Sequence, residues 1–441
     1  VKALVQHVKE RLKASFWFIP ACMSLAAIGL AMYSGHLDIR VNVTSSGWLQ
    51  SLLYKGGYKG ALTLLSTVAS STITIAGVIF SVTMVALSLA STQFGPRLLT
   101  NFMRDPGNQL VLGTFISTFL FCLTAMGNSQ RLENENFIPS VSAAFALMAA
   151  VLCMGVLIYF IHHMSTSIRA EHVINVVAIE LDESMKNFFS PRRSAGSKIG
   201  SESDARLEEF NRKEGSPVPA HSTGYIQAID EADLIEAADR ENTVVKLVLR
   251  PGHFVVEGFD LAVLPPGFHI APRLKEEIQH CFVIGKERTS EQDPEYGIYQ
   301  LVEIAVRALS PGINDPFTAI GCLDRLCGLL CWIVRQPAIS KYRCNRQGTL
   351  RLIVAPIATD NMLRAAFEQI RQASTRMSSV SIRLLECLNV IALSTQNKEC
   401  LQSIRQQGEM TFQSSVAMPM QPGDLEDLKA RYQALIAAIE R

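Results

Sequence analysis

Thirty-two consecutive residues, Ala61 to Thr92, carry no charge: ALTLLSTVASSTITIAGVIFSVTMVALSLAST. A helix needs about 20 apolar residues to cross the hydrocarbon of a bilayer, so this stretch spans with length to spare. Its small and polar residues are ordered. Thr63, Thr67, Ser70, Thr74, Gly77, Ser81, Met84, Ser88 and Ser91 follow alternating steps of four and three. That is a period of about 3.5 residues, which puts hydroxyls and glycine on one narrow seam of a helix. Two readings fit. Small residues at this spacing let helix backbones approach closely in lipid, with hydroxyls bonding across the contact. Alternatively, several copies surround an axis and line a water-filled path with hydroxyl rings, which Met84 would narrow.

Three further apolar runs flank the seam helix. Phe16 to Tyr33 follows a basic arm, 1–15, that holds Lys2, Lys9, Arg11 and Lys13 against Glu10. Trp17 and Tyr33 stand at its ends, where amphipathic rings favour the headgroup level. With more spans behind it and no small-residue cleavage pattern, it reads as a first transmembrane helix rather than a signal peptide. A polar loop is expected over 36–58, and Gly95-Pro96 is expected to stop the seam helix. Leu110 to Met126 and Ile138 to Ile161 are the third and fourth spans. Lys and Arg concentrate in the N-terminal arm, in the 95–108 loop (Arg97, Arg104) and after Ile161. The positive-inside rule then gives a four-span topology, residues 16–163, with both termini in the cytoplasm of a bacterial inner membrane.

After Ile161 the chain changes character. Residues 164–223 read as a helical stalk (165–189) and then a Ser-, Gly- and Pro-rich linker whose Arg192, Arg193 and Lys198 read as a solvated loop. From 224 to 266 the period switches to two. GYIQAID alternates as a strand, and TVVKLVLRPGHFVVEGFDLAVL reads as two strands about an Arg250-Pro251-Gly252 turn. The pattern resembles the barrel-sandwich fold of biotinyl and lipoyl carrier domains, but the tip region Ala232 to Asn242 offers no lysine to modify. A spacer or docking module is expected. From 267 to 441 helices dominate, with Phe317 to Trp332, Thr359 to Gln372, Val380 to Leu393 and Leu425 to Ile439 among them, and one strand at Thr349 to Val354. The fold class is thus an α-helical integral membrane protein with a cytoplasmic α+β region holding a small barrel-sandwich-like β module and a helical module.

Composition excludes some functions. A net charge of +1 gives no general attraction to nucleic acid. Ten cysteines without a C-x-x-C pair or zinc spacing point to a reducing compartment and to no metal. There is no phosphate loop, G-x-G-x-x-G, nucleophile elbow or H-E-x-x-H, so no catalytic set and no cofactor are expected. His162-His163 reads as interfacial, and Cys322, Cys327 and Cys331 as core. The segment Ile284 to Arg325 has the most constrained polar chemistry. Glu303 and Arg307, four apart, can pair; Asp315 can cap the helix that Pro316 opens; Arg288 can pair with Asp293. That is architecture. The alternative is an anion or nucleotide pocket at the helix start, carried by Arg288, Arg307, Asn314 and Asp315.

GVIFSVTMVALSLASTQFGPRLL, GYIQAID, PGHFVVEG, RTSEQDPEYG and ALSPGINDPFTAI together resemble a bacterial membrane-protein family of unknown function, domain family 2254. The resemblance runs from about Phe16 to the last helices. It implies a multi-pass inner-membrane protein with a cytoplasmic C-terminal region, and it brings no reaction or ligand. Three functions stay open: an oligomeric channel or transport protein whose seam lines the path, a membrane-anchored scaffold or sensor that binds cytoplasmic protein partners, and an enzyme. The expected partners are membrane lipid, further copies of the chain, and a cytoplasmic protein or small anionic ligand. The lack of Asp, Glu, Lys or Arg inside the expected spans argues against an ion-coupled transporter.

Overall fold

The computed structural model describes residues 17–44, 57–95, 105–131, 138–189, 215–290, 292–337, 339–355 and 359–441. The arm 1–15, Lys55, Arg97, Arg104 and the Arg192, Arg193 and Lys198 cluster lie outside the described residues. The chain divides into two units, Val1–His172 and Val173–Arg441.

In the first unit the apolar runs become long helices: α1 (Phe18–Thr44), α2 (Gly57–Phe94), α3 (Pro106–Arg131) and α4 (Ser140–Ser167). At about 1.5 Å per residue even the shortest is longer than the ~30 Å hydrocarbon layer. Large apolar side chains such as Leu147, Val151, Leu152 and Ile158 remain exposed along α4, as lipid-facing residues do. Helix α3 packs against the other three. At one end Ala76 and Ile79 of α2, Val111 and Phe115 of α3, and Phe160 and Met164 of α4 cluster. At the other, Ala31, Leu65, Phe121, Ala125 and Ala146 do. A Cβ on Gly113 would lie 2.6 Å from Met23 Sδ, so a glycine is what lets α1 come this close to α3. Ser34 and Ser142 hydroxyls bond across α1 and α4 at 2.9 Å.

Helix α1 does not end where a polar loop was expected from residue 36; it continues to Thr44. The reason is Asp38, which is buried. Its carboxylate accepts hydrogen bonds from Val141 N at 2.6 Å and from Ser142 N and Oγ at 3.2 and 2.6 Å. It thereby caps α4 from a hundred residues away, a role that a local pattern does not reveal. Helix α2 ends at Phe94, and Gly95 follows at φ +114°, where glycine has no steric cost.

The second unit opens with α5 (Ala170–Phe188), then β1 (Ser216–Pro219), β2 (Gly224–Ile229), α6 (Glu231–Arg240), β3 (Val245–Leu247), β4 (Phe254–Val255) and β5 (Asp260–Leu264). It continues with α7 (Pro272–His280), β6 (Phe282–Gly285), α8 (Pro294–Ala308), α9 (Pro316–Ile333), β7 (Tyr342–Cys344) and β8 (Leu350–Ile353). Four helices close it: α10 (Thr359–Ala373), α11 (Ser378–Ala392), α12 (Lys398–Val416) and α13 (Pro422–Ile439).

The self-contained barrel-sandwich-like module expected over 224–266 is corrected here. The strands join a five-stranded sheet, β1-β5-β3-β8-β7, and a three-stranded sheet, β4-β2-β6. β3 pairs in parallel with β8, Val245 opposite Leu352. Parallel pairing needs a long crossover, so the partner strand lies far along the chain. The expected hairpin tip is helix α6, capped by Asp230, which accepts from Ala232 N and Asp233 N. Leu234, Ile278, Leu261, Phe282 and Leu352 share the core between the sheets, α6 and α7. Helix α12 was not read from the sequence, because the face it buries is built from Cys400, Ile404, Gln407, Gly408, Thr411 and Ser415 and shows little apolar period.

Five helices among the described residues are long and apolar enough to cross a bilayer: α1 to α4 and α9. α9 also packs against α8 and α11 with Leu323, Leu326 and Leu330 buried. Its Asp324 accepts from Arg383 at 2.7 Å, and its Arg325 donates to Asn175 at 2.5 Å.

Candidate functional site

Helix α2 divides its faces. The residues it buries within the protomer are Ala61, Leu65, Ala69, Thr72, Ala76, Ile79, Ala86, Ala90 and Phe94. The hydroxyl and glycine seam is offset from this stripe by two residues, a rotation of about 200° at 3.6 residues per turn. Thr63, Thr67, Ser70, Thr74, Gly77, Ser81, Met84 and Ser88 are accordingly exposed, and Ser91 is half-buried. A Cβ on Gly77 would meet nothing within 4 Å. The hydroxyls of Thr63, Thr67, Ser70 and Thr74 donate to carbonyls four residues back, at 2.9, 2.8, 3.0 and 2.7 Å. Bonded in this way they sit in an apolar medium without an unmet donor.

The four residues singled out in the α8–α9 region do not converge. Arg288 donates to Asp293 Oδ2 at 2.8 and 2.5 Å and lies over the Tyr299 ring, at the start of α8. Arg307 is at the end of that helix, about 20 Å away at 1.5 Å per residue, and donates to Glu303 at 3.5 Å. Asp315 caps α9: its carboxylate accepts from Phe317 N and Thr318 N at 3.1 Å and from Thr318 Oγ1 at 2.6 Å. The amides that might hold an anion are thus occupied by a carboxylate of the chain itself. Asn314 takes the left-handed φ of +53° that closes the turn.

A cluster that sequence reasoning missed lies at the other end of α8. Arg250 of the β3–β4 turn donates to Glu295 at 2.7 Å, with both side chains close to nine-tenths buried. Asp293 caps α8 by accepting from Glu295 N. Burial raises the Asp293 carboxyl above its usual range, and Arg288 offsets part of that. Gly252 at φ +91° packs on it; a Cβ there would fall 2.3 Å from Asp293 Oδ2. A cleft of about 440 Å³ adjoins, lined by Arg250, Glu295, Tyr299, Asn361, Arg364 and Glu368. Its two guanidiniums face two carboxylates, so its charge is balanced. Arg250, Glu295 and Asp293 were visible in sequence only as turn and capping residues, 45 positions apart in the first pair.

In the first unit, Asp105 pairs with His163 Nε2 at 2.5 Å and accepts from Gly107 N at 2.8 Å. Tyr159 stacks on the His163 ring. The pair ties the start of α3 to the end of α4. Among the described residues no group of three or more His, Cys, Asp or Glu is placed to hold a metal ion. All ten cysteines are free thiols. Cys322 and Cys327 are buried as expected from their spacing, and Cys331 is partly so.

Helices of this length and apolarity, with lipid-type side chains left exposed, define an integral membrane protein. The chain belongs to the predicted-membrane-protein family DUF2254, whose model matches residues 13–390. It is similar to uncharacterised proteins of Mycobacterium bovis and of Mycobacterium tuberculosis. Each is 29% identical over 396 residues, covering 87% of this chain and 73% of the relative. No solved structure matches.

Proposed function

We propose that this is an oligomeric, multi-pass protein of the bacterial inner membrane in which α1 to α4 are the spans. Copies of α2 face one another along the seam and line a conduction path, and the α/β unit lies in the cytoplasm as a regulatory domain. One observation carries the reading: the seam is the face of α2 opposite its packing stripe, exposed along its length within one protomer. A face of hydroxyls and glycine is poorly used against lipid and well used against its own kind or water. Four spans rather than five are supported by α9, whose Asp324 and Arg325 are bonded to residues of α11 and α5. With no charged ring on the seam, such a path discriminates weakly between cations and anions.

A second reading, a membrane-anchored scaffold or sensor with a dry seam, is favoured by the hydroxyls of Thr63, Thr67, Ser70 and Thr74, which are bonded within their own helix. One variant separates the two. In vesicles, a charged membrane-impermeant thiol reagent should modify the Ser81→Cys protein and change its ion flux relative to the parent. Unreactive thiols that instead oxidise to a disulfide between copies would sink the path and keep the oligomer.

A further inference from the structure

The tip between α8 and α9 reads SPGIND and is followed by Pro316 and Phe317. Phe317 is 82% exposed and Ile313 41% exposed, beside exposed Pro311 and Gly312. Few places in the second unit show so large an apolar side chain so openly. We infer that this tip is a membrane-contact element: Phe317 and Ile313 insert into the interfacial layer of the same bilayer that holds the spans.

The argument rests on the direction of α5. This helix starts three residues after Ser167, where α4 ends. Within the second unit α5 and α9 run side by side in the same direction. A Cβ on Gly321 would lie 3.6 Å from Ile174 Cδ1, Arg325 bonds Asn175, and Trp332 packs edge-on to Phe189. Helix α8 runs the opposite way, with Gly297 against Leu181. The α8–α9 tip therefore points toward the start of α5. Phe317 is four residues before Gly321, and Ala170 is four before Ile174, so both stand about 6 Å further along their helices. Phe317 is level with the residue at which the chain leaves α4. This follows from contacts inside the second unit and from covalent continuity, whatever angle the two units adopt.

The tip is also built to enter an interface. Its backbone amides are bonded internally: Ile313 N and Asn314 N donate to Ser310 O at 3.1 and 2.9 Å, and Asp315 N donates to Ala308 O at 2.8 Å. Asp315 takes up the first amides of α9. Few backbone donors are left to lose water, which is the main cost of bringing a loop to a bilayer surface. Aromatic side chains favour that layer. A second copy of the chain could also cover Phe317, but it would have to be brought there, whereas the bilayer is tethered within reach.

The test uses the full chain in vesicles of phosphatidylcholine and phosphatidylglycerol, with a benzophenone amino acid at Phe317 or, as control, at Leu393. Leu393 is 56% exposed and follows α11, beside Ser394, which bonds Arg335 at the far end of α9. Neither position is packed, so neither replacement threatens folding. Irradiation should give lipid adducts at 317 at least about tenfold above those at 393, the ratio that burying a side chain of this size supports. A protein–protein adduct at 317 without lipid would assign the tip to a second copy and overturn the inference. Equal lipid labelling at the two positions would overturn it as well. The outcome does not depend on whether the seam conducts.

Discussion

His253 stands in the turn that carries Arg250 and Gly252, and the field of that turn acts on it. Burial holds its imidazole below the ordinary histidine range; Arg250 and Arg288 add to the depression, and Glu295 opposes it. A histidine kept neutral in the fold binds fewer protons than the same residue unfolded at mildly acid pH. Stability is then present above the unfolded value of about 6.5 and is lost as pH falls toward the folded value. The unfolding temperature of the second unit should drop between about pH 7 and about pH 5.5. The His253→Gln variant should show a flatter dependence, measured by scanning calorimetry in detergent. An unchanged slope would mean that other groups carry it. Nothing in GHF at 252–254 announces this, because Arg288 and Glu295 reach His253 only through the tertiary structure.

At the scale of one helix, α2 carries two stripes with the same step of about 3.5 residues on opposite faces. Ala76 is buried at 4% exposure, and Gly77 beside it faces open space. Ala76→Leu should overpack the contact with α3 and cost about 1–3 kcal/mol of protomer stability. Gly77→Leu should leave the protomer intact and weaken association between copies. The first effect is read by thermal unfolding in detergent and the second by size-exclusion with light scattering. A loss of protomer stability from Gly77→Leu alone would mean the faces are assigned the wrong way round. The sequence showed the seam at once, since hydroxyls stand out in an uncharged run. It did not show the packing stripe, because alanine and leucine are ordinary on every face of a membrane helix. Helix α12 illustrates the same limit: a face that buries Gln407, Thr411 and Ser415 carries no apolar period to detect.

For the whole molecule, two separate cores predict separable unfolding. Phe367→Ala removes a fully buried ring from α10 and should lower the transition of the second unit, at a cost of about 3–5 kcal/mol. Phe115→Ala, fully buried in α3, should act on the first unit alone. Intrinsic fluorescence and far-ultraviolet circular dichroism can follow the two transitions, and a shift of both by either variant would contradict the division. Sequence alone determined that four long apolar helices precede an α+β region, that the seam forms one stripe, and that Asp315, Asp293 and Arg307 serve as caps and pairs. These are set by hydropathy, helical period and capping chemistry, all of which act over a few residues. The tertiary structure decided that Asp38 caps α4, that β3 lies beside β8, that Arg250 meets Glu295, and that the seam is left outside the protomer. Each of those joins residues far apart in the chain, where pairing depends on which faces are buried against each other and no local pattern records it.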